Sequence, residues 1–298
     1  MKWFAVIFSS FLGMVSMTSC NNNSQPASTA DSIAVKTDSV PSGSTAGFKL
    51  GVQMWTFRKF SFTDALNKVD SAGIKNIEAF YGQKLGDGMK GSFGTDMSKD
   101  DREKLKQLLQ VKGIHIVAMG VIDPKNKAEW IKAFELAKEF GLSYVTAEPL
   151  KSQWDMADSL AGVYGIPVAI HDHPKPNMYW SPDSVLAAIQ GHSHIGSCAD
   201  IGHWARNGVN PVDALKKLEG HIIGVHLKDV VKFGDSTAAD TVVSKGIVDL
   251  PAVLAELKRQ NFSGMLSIEH ESNWYHSLTD VIFTKNYYDA QVEKLNHP

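Results

Sequence analysis

The chain has 298 residues, 43% of them hydrophobic and 21% charged, with a formal net charge of −2. That is an ordinary globular composition, with length for one or two domains and a large buried core. No basic block or acidic tail interrupts it, which argues against a nucleic-acid partner. One departure stands out: seven of the eleven histidines fall between His171 and His226.

The first element is a leader. MKWFAVIFSSFLGMVSMTSC carries one lysine, then an apolar run too short for a comfortable membrane span, then small residues before Cys20. This pattern predicts an export signal over residues 1–19. Its Met-Thr-Ser-Cys ending resembles a bacterial lipoprotein processing site. The resemblance implies lipid attachment at Cys20 and a membrane-anchored protein facing the periplasm or cell surface. Residues 20–47 are rich in Ser, Thr and Asn and read as a flexible tether. With Cys20 lipidated, Cys198 has no intrachain partner, and a domain of this size needs no disulfide.

From Phe48 onward one unit recurs: a helical pattern, often a glycine, then a short apolar strand ending in polar residues. The predicted strands are Lys49–Trp55, Ile74–Phe80, Ile114–Gly120, Ser143–Pro149, Ile166–His173, Ile195–Asp200, Ile222–Asp229 and Met265–Glu271. Between them lie amphipathic stretches such as DREKLKQLLQVK and KAEWIKAFELAKEF. Eight strands alternating with helices over residues 48–298 predict a single-domain (β/α)8 TIM barrel. An open doubly wound sheet is the alternative, but no Gly-x-Gly-x-x-Gly turn follows the first strand.

In such a barrel the chemistry gathers at the C-terminal strand ends. Those ends carry Glu78, Glu148, His171 with His173, Asp200, His226 and Glu269. Carboxylates and imidazoles crowded at one mouth would be costly unless paired, and a divalent cation pairs them. Each residue alone has a plainer explanation. Asp200 three residues before His203 can simply cap a helix, and His226 can be a core histidine. Asp200, His226 and Glu269, however, end three successive strands, which favours one shared site.

ADIGHW, GVHLKD and SIEHE, with the strand count, resemble the xylose-isomerase-like barrels, a group of sugar isomerases, epimerases, inosose dehydratases and endonuclease IV-type enzymes. The resemblance covers roughly Phe48 to the C-terminus. It implies that Asp200, His226 and Glu269 are metal ligands and that His203 faces substrate or stands just outside the ligands. The epimerases of this group place a metal-binding Glu on strand five, where VAIHDHP puts His171. Either His171 is the fourth ligand or Glu148 reaches across from strand four.

Nitrogen and oxygen ligands suit Mn²⁺, Co²⁺, Zn²⁺ or Mg²⁺. A sugar carbonyl beside a hydroxyl can then be polarised and its neighbouring C–H proton removed through an enediolate. Glu148, Glu269 and His173 are the candidate proton-transfer groups. Lys228 either bonds a substrate oxygen or pairs with Asp229. Trp55, Trp204 and Trp274 stack on a sugar or close the top of the core, and Arg206 holds a substrate hydroxyl or forms a salt bridge. The implied activity is metal-dependent isomerisation or epimerisation of a sugar or keto-sugar. A lyase or hydratase acting on 3-keto-glycosides is the alternative, since an exported enzyme meets free or oxidised sugars rather than sugar phosphates. A non-catalytic, surface-tethered sugar-binding protein is a further one. Export and the charge balance argue against the endonuclease branch.

Overall fold

A computed structural model describes residues 47–297. The leader over residues 1–19, the lipid-attachment site at Cys20 and the tether up to residue 46 lie outside the described residues.

The strands are β1 (Lys49–Gln53), β2 (Asn76–Phe80), β3 (Lys84–Gly86), β4 (Met89–Ser92), β5 (His115–Ile122), β6 (Tyr144–Ala147), β7 (Val168–His171), β8 (Ile195–Asp200), β9 (Ile222–Leu227), β10 (Asp229–Val230), β11 (Asp240–Thr241) and β12 (Met265–Ile268). Eight of them close a barrel in the order β1-β12-β9-β8-β7-β6-β5-β2, and every pairing around it is parallel. The helices are α1 (Phe62–Ser71), α2 (Lys99–Lys112), α3 (Lys127–Phe140), α4 (Trp154–Tyr164), α5 (Pro182–Ile189), α6 (Ile201–Arg206), α7 (Pro211–Lys217), α8 (Leu250–Arg259) and α9 (Ser277–Asn296). This is the (β/α)8 barrel that the strand count predicts. The two small antiparallel ribbons, β3-β4 and β10-β11, are additions with no clear strand periodicity in the sequence.

Local chemistry sets the helix boundaries. Ser61, Ser98 and Asn126 accept backbone N–H bonds at the starts of α1, α2 and α3, satisfying donors that the first turn leaves free. Gly113 and Gly141 end α2 and α3 with φ of +59° and +69°, a conformation costly for residues with a Cβ.

Along each barrel strand the side chains alternate between two environments. Val145, Ala147, Val168, Ile170, Ala199, Val225, Leu227, Leu266 and Ile268 belong to the main core with residues of the surrounding helices. The interleaved Ala118, Tyr144, Ala169, Cys198 and Met265 form a smaller cluster of their own. Bulky groups there face glycines on other strands: a Cβ on Gly224 would lie 2.6 Å from the Tyr144 hydroxyl. Stepping by two along a strand from this inner cluster leads from Tyr144 to Glu148, Ala169 to His171, Cys198 to Asp200 and Met265 to Glu269. The fold therefore turns an alternation pattern into a ring of polar groups at one pole.

Candidate functional site

Asp200 shows how one residue serves both structure and site. It closes β8 and caps α6: its Oδ1 accepts from Gly202 N at 3.0 Å and His203 N at 2.8 Å. Its Oδ2 is fully buried and free of the cap, and faces Lys228 Nζ at 3.1 Å. The helix-capping explanation and the ligand explanation thus apply to different oxygens of the same carboxylate. The cap also starts the short helix α6, which carries His203, Trp204 and Arg206.

Around that free oxygen four donors converge. His171, Asp200, His226 and Glu269 are all buried, and each offers one ligand atom within 4.8 Å of the others. His171 Nε2 lies 3.0 Å from His226 Nδ1 and 3.7 Å from Asp200 Oδ2. Glu269 Oε2 lies 3.0 Å from His226 Nδ1 and 4.0 Å from His171 Nε2. The other face of the His226 ring edge is also occupied, because Nε2 is 2.9 Å from Glu78 Oε2. His226 thus has a carboxylate at each ring nitrogen, and a cation among the four groups would take the Nδ1 position that a second ring proton otherwise fills. Two imidazole nitrogens and two carboxylate oxygens, one of them the Asp200 oxygen outside the cap, fit a divalent transition metal or Mg²⁺.

Glu148 sits elsewhere. It faces the opposite ring nitrogen, with His171 Nδ1 3.6 Å from its Oε1. It accepts from His173 Nδ1 and from Asn177 Nδ2 at 2.6 Å. Glu148, His171 and His173 form a second grouping that shares only His171 with the first. The sequence left the fourth donor open between His171 and Glu148; the geometry brings His171 to the other three and leaves Glu148 behind it. His173 has a side chain 40% exposed, so the Glu148–His173 pair faces the barrel mouth.

Lys228 is the buried cation of the site. Its Nζ lies 3.1 Å from Asp200 Oδ2, 3.0 Å from Glu269 Oε2 and 2.6 Å from Glu271 Oε1. Pairing with Asp229, one of the two alternatives the sequence offers for Lys228, does not occur. Asp229 instead accepts from the backbone N–H groups of Val230, Ser244, Gly246 and Val248, which shapes the segment after β9. Gly202 makes room for Lys228, since a Cβ there would lie 2.5 Å from Lys228 Cγ.

The surroundings set the ionisation of the site. Burial would raise the Glu269 carboxyl, but Lys228 and His226 outweigh it and hold it well below the usual range. Burial is likewise outweighed at Asp200, chiefly by His203 and Lys228, and at Glu148 by bonds to His171 and His173. Burial would lower His171, yet Asp200 and Glu148 push it up to about 9. Lys228 stays charged because Asp200, Glu269 and Glu271 overcome its desolvation. All three acids are therefore anionic near neutrality, as metal binding requires.

The expected substrate-facing residues separate into groups. His203 is buried, with Nε2 3.1 Å from Lys228 Nζ and Nδ1 2.9 Å from Arg206 Nη1. Arg206 is engaged in structure: it donates to Ala238 O at 2.9 Å and pairs with Asp240. It is thus the salt bridge, not the hydroxyl holder. Trp204 is wholly buried in the main core, where its size contributes packing and no face is left for a sugar. Trp55 and Trp274 clasp Arg58, whose guanidinium carbon lies 4.1 Å and 3.2 Å from their ring centroids. Arg58 in turn faces Glu271 at 3.8 Å. Of the histidine-rich stretch, His192 and His194 pair with Asp155 and Asp158 and His221 is exposed; only 171, 173, 203 and 226 meet.

Sequence reasoning placed Glu78 among the strand-end groups without a specific role, and gave none to Glu271, Asn177 or Arg58. The inward alternation 267, 269, 271 was a usable signal for Glu271. For Arg58 and Asn177, both outside the barrel strands, there was none. A separate cavity of about 370 Å³ opens at the other pole, lined by Lys49, Tyr144, Ile222 and Met265 among others. These residues begin their strands, and the cavity holds none of the four donors.

The family model described as "Xylose isomerase-like TIM barrel" matches residues 66–286, and the chain belongs to that family. It is similar to an inosose isomerase of Halalkalibacterium halodurans, 24% identical over 270 residues, covering 81% of this chain and 94% of the relative. Among solved structures, a putative uncharacterized protein from Parabacteroides distasonis is 35% identical with a TM-score of 0.66, covering 81% of this chain and 98% of its own. The IolI protein "with a binding zinc atom" superposes with a TM-score of 0.66 at 20% identity, over 83% of this chain and 99% of that one.

Proposed function

We propose that the protein is a divalent-metal-dependent enzyme that moves a proton beside the carbonyl of a sugar, keto-sugar or inosose. The observation that carries this reading is the buried convergence of His171, Asp200, His226 and Glu269 at the C-terminal pole, with one Asp200 oxygen left out of the helix cap and turned to the cluster. Support comes from the isomerase name of a relative matched over most of both chains and from the zinc in a structure of the same fold.

The four side chains would hold the ion, which acts as a Lewis acid on a carbonyl–hydroxyl pair and acidifies the adjoining C–H. Proton transfer falls to the chain's own groups. His173, oriented through Nδ1 by Glu148, reaches the open mouth and can take or return a proton at its other nitrogen. Glu269 stands across the cluster from that pair, and Lys228 beside it stabilises negative charge developing on a substrate oxygen. The leader is part of the proposal: an exported, lipid-anchored enzyme meets free and oxidised sugars.

The Glu148–His173 pair also favours a second reading, elimination or hydration at a 3-keto-glycoside. An imidazole at the mouth can protonate a departing oxygen while the C–H proton leaves on the other side.

Metal content of the purified protein and incubation in D₂O with aldoses, inososes and 3-keto-glycosides, with and without chelator, test both. Chelator-sensitive deuterium incorporation at a carbon beside the carbonyl is expected, and product analysis separates isomerisation from elimination. Glu269→Gln should lower turnover by ~10²–10⁴-fold with the fold retained. Exchange into none of these compounds sinks the enzyme reading and leaves a sugar-binding protein.

A further inference from the structure

Glu78 is a buried carboxylate with no arginine or lysine within bonding distance among the described residues. It lies in the middle of β2 and is wholly inaccessible. Three barrel steps separate β2 from β9, so its side chain crosses the interior to meet His226. There Oε2 accepts from His226 Nε2 at 2.9 Å and from Ser267 Oγ at 3.4 Å, while Oε1 has no partner. A carboxylate placed this way is costly to desolvate, and a hydrophobic side chain would pack the barrel more cheaply. The position is thus poor for stability and well placed to act on one ring.

We propose that Glu78 is the positioning residue of the metal centre. Its carboxylate keeps the proton on His226 Nε2, which turns the Nδ1 lone pair toward His171, Asp200 and Glu269. It also fixes the plane of the ring and makes Nδ1 a stronger donor. The nearby Cys198 does not compete for this role. Its thiol, close to both Glu78 and His226, is pushed up to about 12 by burial and stays neutral. The inference rests on the metal reading proposed above, but not on any particular substrate.

The test is zinc affinity measured on the metal-stripped full chain by competition with a chromophoric chelator, beside thermal melts of the same metal-free samples. Glu78→Gln, which removes the charge but keeps an acceptor, should weaken zinc binding about 10-fold, and Glu78→Leu by up to about 100-fold. The metal-free melting temperature of Glu78→Gln should change little, because the amide oxygen still accepts from His226 Nε2 and Ser267 Oγ. Loss of affinity together with a lower metal-free melting temperature would make Glu78 a structural residue and overturn the proposal. Unchanged zinc affinity in Glu78→Gln overturns it too. A wild-type chain that binds no divalent ion overturns both the proposal and the metal reading. Zinc binding without turnover of any sugar leaves the proposal standing while the enzymatic reading fails. Should Glu78→Leu not fold, Glu78→Gln alone decides.

Discussion

At the scale of single residues, the site depends on space as much as on charge. Gly202 is the clearest instance, because the stem of Lys228 lies where a Cβ would go, 2.5 Å from Cγ and 2.8 Å from Cβ. Neither atom is at the flexible end of the side chain, so Gly202→Ala forces the lysine or α6 to move. The expected result is a stability loss of about 1–3 kcal/mol in urea melts, with a larger fall in turnover than in substrate affinity. Unaltered melts and kinetics would show that Lys228 can relocate freely. Asp200, His226 and Glu269 were legible in the sequence because each closes or follows a recognisable strand. What remained hidden was how each side chain divides its atoms: that Asp200 caps with one oxygen and leaves the other free depends on where α6 begins. Lys228 was read against its chain neighbour Asp229, but adjacent residues on a strand point to opposite faces, so its partners come from other strands.

At the scale of elements, the ribbon β10-β11 joins the end of β9 to the end of β12. Asp240 in β11 pairs with Arg206 of α6 and accepts from Glu271 N at 2.8 Å. Burial pushes its carboxyl up to about 6 against the pull of Lys228 and Arg206. The folded chain therefore holds this proton between about pH 4, the ordinary carboxylate value, and about 6, whereas the unfolded chain releases it. Stability from this group is present below the unfolded value and is lost as pH rises through the folded one. Wild type should thus lose on the order of 3 kcal/mol relative to Asp240→Asn between pH 4 and 7 in denaturant melts. A gain over that range would show that the Arg206 pair outweighs burial. The ribbon itself was invisible in the sequence, since two-residue strands are too short to show alternation. The eight barrel strands were visible because each is an apolar run, and seven of the eight predicted runs follow a glycine directly or nearly so. Their ends were less certain: β7 stops at His171, two residues before the predicted end, and that shorter strand releases His173 to turn toward Glu148.

At the scale of the whole molecule, stability and chemistry occupy different places. The outer faces of the strands and the helices make the main core, while the donors gather at one pole, as (β/α)8 barrels arrange their active sites. An ion that binds the folded chain alone should stabilise it by mass action. Zinc at ~1,000 times its dissociation constant should add about 4 kcal/mol, read as a higher melting temperature that a chelator reverses. No shift with any divalent ion would count against the four-donor site. The barrel and its pole were the most legible features of all, because they follow from counting repeats. The rim was the least, because Arg58 and Asn177 are brought in by loop paths that no periodicity encodes.

Lys228 has one more consequence. A cage of carboxylates with nothing positive among them would be pushed open by self-repulsion, but this one has an ammonium tethered to its wall, touching Asp200, Glu269 and Glu271. On the metal reading, such a cage would hold its shape while one ion left and a different one entered, so the identity of the resident ion would be left to supply and ligand chemistry, not to the folding pathway.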